Sequence, residues 1–168
     1  AIETPIDEIA EGYSLRKIKP SEQLAEMTFF FNILNPGVRL LGSIASLASK
    51  DPNKVFEQYF ESLAESAGNK SFDGLMTGSI DGLYRLSGVW GEKFVVVDYK
   101  TNALHLASRT PEEIVASYGF DSMKSEMELH DYPLQALVYS VALHRFLELR
   151  LPDYDPEKHL GGSGYLFL

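Results

Sequence analysis

The sequence predicts an α/β domain in which a mixed central β-sheet is flanked by helices. Two runs rich in β-branched and aromatic residues carry most of that reading: Gly78-Ser79-Ile80-Asp81-Gly82-Leu83-Tyr84-Arg85-Leu86 and Phe94-Val95-Val96-Val97-Asp98-Tyr99-Lys100-Thr101-Asn102. They flank a six-residue turn over 87–92 with two glycines, the mark of an antiparallel hairpin. Elsewhere the apolar spacing is helical, at 38, 40, 41, 44, 45, 47 and 48 and again from Asp131 to about Arg150. With 168 residues, 45% hydrophobic and 23% charged, residues 1–168 suit one domain with a real core.

Taken in order, residues 1–12 are acid-rich, contain no base and are expected to be peripheral. Tyr13 to Ile18 is expected to form a short strand that Lys19-Pro20-Ser21 breaks, and Leu24 to Ile33 a longer strand that pairs with the hairpin. Asn35-Pro36-Gly37 makes a turn before the first helix, over 38–48. Asp51 as N-cap and Pro52 at the first helical position start the next, which carries Val55, Phe56, Tyr59, Phe60 and Leu63 on one face and ends near Gly68. After the hairpin, Thr110, Pro111 and Glu113 form a capping box. Gly119 and the polar stretch 121–128 predict a broken segment, and Asp131 caps the longest helix. The end of the chain reads as a loop from Leu151, a flexible entry Gly161-Gly162-Ser163-Gly164 and a last strand over Tyr165–Leu168; these glycines lack the Lys-Ser/Thr of a phosphate loop.

Composition limits the function. No run of about 18 apolar residues exists to span a membrane, and the N-terminus lacks the basic start and apolar centre of a signal peptide. The absence of cysteine removes disulfides and thiolate metal sites, and a cytoplasmic location is expected. A net charge of −9 argues against a simple nucleic-acid binder, which would normally present a basic face.

The chemistry lies in the hairpin. A symmetric turn puts Asp81 directly opposite Asp98, and opposed residues share a face. Lys100, two residues beyond Asp98, points the same way. Two like charges facing each other are destabilising, and a hard divalent cation such as Mg²⁺, which takes one or two carboxylates and fills its other positions with water and phosphate, would neutralise them. Such an ion serves phosphodiester hydrolysis, and Lys100 would orient the attacking water or stabilise charge on the phosphate. From spacing alone, the alternative of strand-end carboxylates satisfied by a surface lysine stays open.

Gly78 to Arg85, Val97-Asp98-Tyr99-Lys100-Thr101-Asn102 and Tyr132-Pro133-Leu134-Gln135-Ala136-Leu137-Val138-Tyr139 together resemble the motifs of the PD-(D/E)XK nuclease superfamily. More narrowly, Ala142 to Leu147, Asp153-Tyr154-Asp155 and His159 to Leu168 resemble the nuclease domains of exodeoxyribonuclease V beta subunits of the RecB type, over a stretch from about Leu24 to the terminus. The resemblance implies a restriction-endonuclease-like fold and a Mg²⁺-dependent deoxyribonuclease (Mn²⁺ substituting) of a bacterial helicase–nuclease that processes double-strand breaks. In that reading Asp81 and Asp98 hold the metal with the backbone carbonyl of Tyr99, Lys100 assists the water, and Gln135 and Tyr139, one turn apart on a helix, support the site or contact DNA. The implied partners are DNA, the other subunits of the complex and a recombinase; no membrane is implied.

The family's pattern also contains a metal-binding histidine on a helix upstream of the first aspartate, and no histidine precedes His105 here. The expectation is therefore weak metal binding and poor cleavage by this stretch alone. A nuclease fold kept as a docking module, with little catalysis, is the competing reading. Glu26 and His105 are minor candidates for ligands: Glu26 reads rather as a strand-edge charge or structural hydrogen bond, and His105 as a loop histidine bonded to backbone. His144 is expected to be solvated.

Overall fold

The computed structural model describes residues 13–33, 43, 46, 50, 54–67, 74–104 and 110–168. Within them, four strands form one sheet in the order β1 (Gln23–Ile33), β2 (Gly74–Gly88), β3 (Gly91–Lys100), β4 (Leu160–Phe167). The pairs β1–β2 and β2–β3 are antiparallel and β3–β4 is parallel, so the sheet is mixed as expected. The helices are α1 (Glu57–Ala67), α2 (Pro111–Ser117), α3 (Phe120–Leu129), α4 (Tyr132–Glu148) and the single turn α5 (Pro156–His159). None of the helices among the described residues is long and apolar enough to cross a membrane.

Alternation along β3 sends Val95 and Val97 to one face and Val96 to the other. Helix α4 covers the Val96 face, where Tyr139, Ala142, Leu143 and Leu147 pack on Met27, Phe29, Ile80 and Leu83. The N-terminal segment covers the other, packing Ile18, Tyr13 and Leu15 against Tyr84, Leu86, Val95 and Val97. Ile80 and Leu83 reach the same cluster although they are three apart, so the alternation of β2 slips by one between them, at Asp81 and Gly82. Pairing with β1 skips the same level: Ala25 faces Gly82 and Met27 faces Ile80, while Glu26 between them takes a left-handed φ of 53°.

Several expected boundaries move. The hairpin strands extend to Gly88 and Gly91, leaving the two-residue turn Val89–Trp90 instead of six residues; Gly91 supplies the positive φ of 96°. Tyr13 to Ile18 is a 3-10 turn over Leu15–Lys17 rather than a strand, tethered by the Tyr13 hydroxyl donating to the Ser87 carbonyl and by the Tyr13–Trp90 ring contact. The stretch 121–128 is the regular helix α3, and Thr110 and Glu113 close the capping box of α2. Asp131 stands at the N-cap of α4 but in a left-handed conformation without capping; its carboxylate instead accepts a hydrogen bond from Tyr59 of α1 at 2.8 Å. The expected Asp51 cap and most of the helix over 38–48 lie outside the described residues, as does His105.

The glycines at 161–164 are strand rather than flexible entry, because β4 approaches β3 closely. A Cβ on Gly161 would lie 2.6 Å from Val95 Cγ2 and 3.1 Å from the Phe94 carbonyl oxygen. Val95 is buried and stiff at χ1 and cannot give way. Gly161→Ala is expected to lower stability by about 1–3 kcal/mol, the usual overpacking range, which urea unfolding would measure.

Candidate active site

The site lies where β2 and β3 part. Their pairing follows the register expected of a symmetric turn, from Gly88–Gly91 to Gly82–Val97, and ends one pair short of Asp81 and Asp98. Beyond that fork the Asp81 side chain replaces the missing backbone partner, its Oδ2 accepting the Tyr99 N–H at 3.1 Å. The expected head-on pair is thus a splayed one. The N–H and C=O of a strand residue point to the same neighbour, so the Tyr99 carbonyl is directed into the same fork.

The two carboxylates differ in environment. Asp81 is exposed, whereas Asp98 is 3% exposed at the end of the apolar run of β3. Lys100 Nζ sits 2.6 Å from Asp98 Oδ2, as the shared face requires, with side-chain exposures of 12% and 4%. Lys100 is the close partner of this oxygen, and no further hydrogen-bond partner among the described residues satisfies it. Burial holds the Asp98 carboxyl above the usual range; Lys100 and the Tyr139 hydroxyl oppose that rise, and the Asp81 charge adds to it. A buried carboxylate oxygen with acceptor capacity left beside its lysine, and a second, exposed carboxylate at the fork whose charge it feels, fit a hard divalent cation. Among the described residues no group of three His, Cys, Asp or Glu converges, so the protein ligands on offer are these two acids and the Tyr99 carbonyl.

Helix α4 supplies the next layer. Gln135 Oε1 accepts from Lys100 Nζ at 3.0 Å, and its amide nitrogen donates to the Tyr139 hydroxyl, also at 3.0 Å. The amide is thereby oriented, and the Tyr139 proton is free for Asp98. Burial, with the charges of Asp98 and Asp81 behind it, raises Tyr139 from 10.0 to about 12. The folded protein therefore holds this proton more tightly than the unfolded chain, and stability is lost as pH rises from 10.0 toward about 12. Titrating the Tyr139 ¹³Cζ resonance is expected to give a midpoint near 12 in the native protein, moving down in Asp98→Asn.

Sequence reasoning missed four side chains. Tyr165 of β4 donates to Gln135 Oε1 at 3.2 Å and to the Tyr132 carbonyl at 3.1 Å. Tyr132 stacks on Tyr165, and Lys100 Nζ lies 3.8 Å from the Tyr132 ring centroid. Asn102 and Glu126 extend this network to α3. Only Tyr132 carried a sequence signal, standing three residues before Gln135 on one helix face. Glu26 is exposed at the level of Asp81, and His144, expected to be solvated, is half-buried with its Nδ1 2.9 Å from the Tyr154 hydroxyl.

Fold and site together define an α/β domain compatible with the restriction-endonuclease-like fold, with its polar constellation at the fork of a central hairpin. No family model matches the chain. It is 39% identical over 177 residues to the RecBCD enzyme subunit RecB of Mycolicibacterium smegmatis, and 31% identical over 172 residues to that of Escherichia coli K12. Each alignment covers 99% of this chain, which spans only 16% and 12% of those proteins. The chain is homologous to a segment of RecB.

Proposed function

We propose that this chain is a Mg²⁺-dependent DNA nuclease domain of a RecB-type helicase–nuclease that processes double-strand breaks for recombinational repair. The RecB relatives, by name subunits of a multi-subunit enzyme, support the nuclease and repair role and imply further subunits as partners. The single observation that supports the metal is the buried Asp98 Oδ2, which has no hydrogen-bond partner beyond the Lys100 ammonium among the described residues and feels the charge of Asp81 at the fork. Asp81 and Asp98, with the Tyr99 carbonyl, would hold the ion. The chemistry supplied by bound Mg²⁺ is acidification of water and polarisation of a phosphoryl oxygen.

The residues of the chain do the rest. Lys100 places its side-chain nitrogen beside Asp98, where it can orient the nucleophile or meet charge building on the phosphate. Gln135 and Tyr139 fix Lys100 and Asp98 relative to one another. The charge of −9 is reconciled with a DNA substrate if other parts of the assembly grip the nucleic acid and deliver a single strand.

That charge, and the lack of a third acid or histidine at the fork among the described residues, favour a second reading: a nuclease fold that docks partner subunits or a recombinase without much catalysis. Isothermal titration of Mn²⁺ into the chain and into Asp98→Ala separates the two. The nuclease reading expects binding heat that the substitution removes; no heat in either protein would leave only the docking module.

A further inference from the structure

We propose that Tyr132 is a positioning residue for Lys100, locked by a circuit of side chains that joins α3 to the end of β3. Its consequence for catalysis rests on the nuclease reading above; the placement itself does not. The Lys100 ammonium has three protons to direct. Asp98 and Gln135 lie within 2.6 Å and 3.0 Å of it, and the Tyr132 ring centroid is 3.8 Å away. At that separation the electron-rich face attracts the cation, more strongly where water is excluded. The ring of Tyr165, at 5.3 Å, is the more distant contact.

Tyr132 cannot easily move. Its ring stacks on Tyr165 (5.7 Å, 15°) and on His130 (5.5 Å, 21°). Its hydroxyl donates to Asn102 Oδ1 at 3.1 Å, and the Asn102 amide donates to Glu126 Oε1 at 2.7 Å. His130 Nε2 meets the same Glu126 oxygen at 3.0 Å, closing the circuit. Asn102 lies two residues beyond Lys100 on the segment leaving β3, so one backbone carries both the ammonium and the anchor of the ring beneath it. Glu126 and His130 thereby act on the site without touching it.

The test compares the full chain with Tyr132→Phe, Tyr132→Leu and Asn102→Ala, reading the Lys100 ε-methylene resonances and the kcat and KM for linear DNA. In the native protein the ε protons are expected upfield of those of exposed lysines, shifted by the aromatic ring. Tyr132→Phe keeps the ring but loses the hydroxyl that Asn102 holds, so it should reduce the shift without abolishing it. Asn102→Ala removes only the anchor and should reduce it. Tyr132→Leu should abolish it and lower kcat by about 10²-fold, the cost of misplacing a catalytic group by about 1 Å, with KM unchanged. An unshifted Lys100 in the native protein, or a shift that survives Asn102→Ala and Tyr132→Leu, overturns the proposal, as does a raised KM with kcat intact, which would make Tyr132 a DNA contact. If Tyr132→Leu does not fold, Asn102→Ala and Tyr132→Phe decide alone. Absence of cleavage by every protein, native included, would count against the nuclease reading while the resonances still decide the placement.

Discussion

Asp98→Asn is expected to lower Mg²⁺-dependent cleavage of linear DNA by roughly 10³-fold or more, the several kcal/mol that a metal contributes to phosphoryl chemistry. The substitution is close to isosteric, and the Lys100 ammonium keeps its contacts with Gln135 and the Tyr132 ring, so the native circular dichroism spectrum should persist. What is lost is the negative charge on a buried oxygen that, among the described residues, has no hydrogen-bond partner beyond the Lys100 ammonium. Asp81→Asn should be nearly as damaging to cleavage. It is milder for the fold, since Asp81 is exposed and an asparagine oxygen can still accept the Tyr99 N–H. Full activity of the Asp98 variant, measured by release of acid-soluble nucleotides, would remove the site from consideration.

Lys100→Met is expected to separate metal binding from catalysis. Methionine keeps much of the apolar stem and discards the charge, and removing a positioned cation from developing negative charge should lower cleavage roughly 10²–10³-fold. Metal affinity should move the other way. The ammonium and the metal compete for the same Asp98 oxygen, so titrated Mn²⁺ should bind the variant at least as tightly as the native protein. Loss of binding together with activity would instead mean that Lys100 organises the fork, and its proposed role beside the water would fail.

The hairpin was legible because its cause is local. A symmetric connection between two β-rich runs has one natural register, and shortening the turn from six residues to two leaves that register unchanged. The Asp98–Lys100 contact follows from strand alternation alone. The point where the strands part was not legible, because it depends on Glu26 and Asp81 leaving the ladder together, on strands far apart in the chain. The helical state of 121–128 was masked for a similar reason. Its polar composition reads as loop, yet it forms α3 and brings Glu126 and His130 to Asn102 and Tyr132. The glycines of 161–164 signal flexibility in isolation, and only the neighbouring Val95 shows that one of them is there for closeness.

Residue order by itself determined the α/β class, the pairing of the hairpin, the face that Asp98 and Lys100 share, and the helix face bearing Gln135 and Tyr139, because each follows from a backbone period or a short connection. Tertiary structure alone decided that Asp98 is buried while Asp81 stays exposed. It alone also decided that Tyr132, Tyr165, Asn102 and Glu126 surround the lysine. Those depend on which helix covers which end of the sheet and on a parallel strand more than sixty residues further along the chain, contacts that no local period encodes.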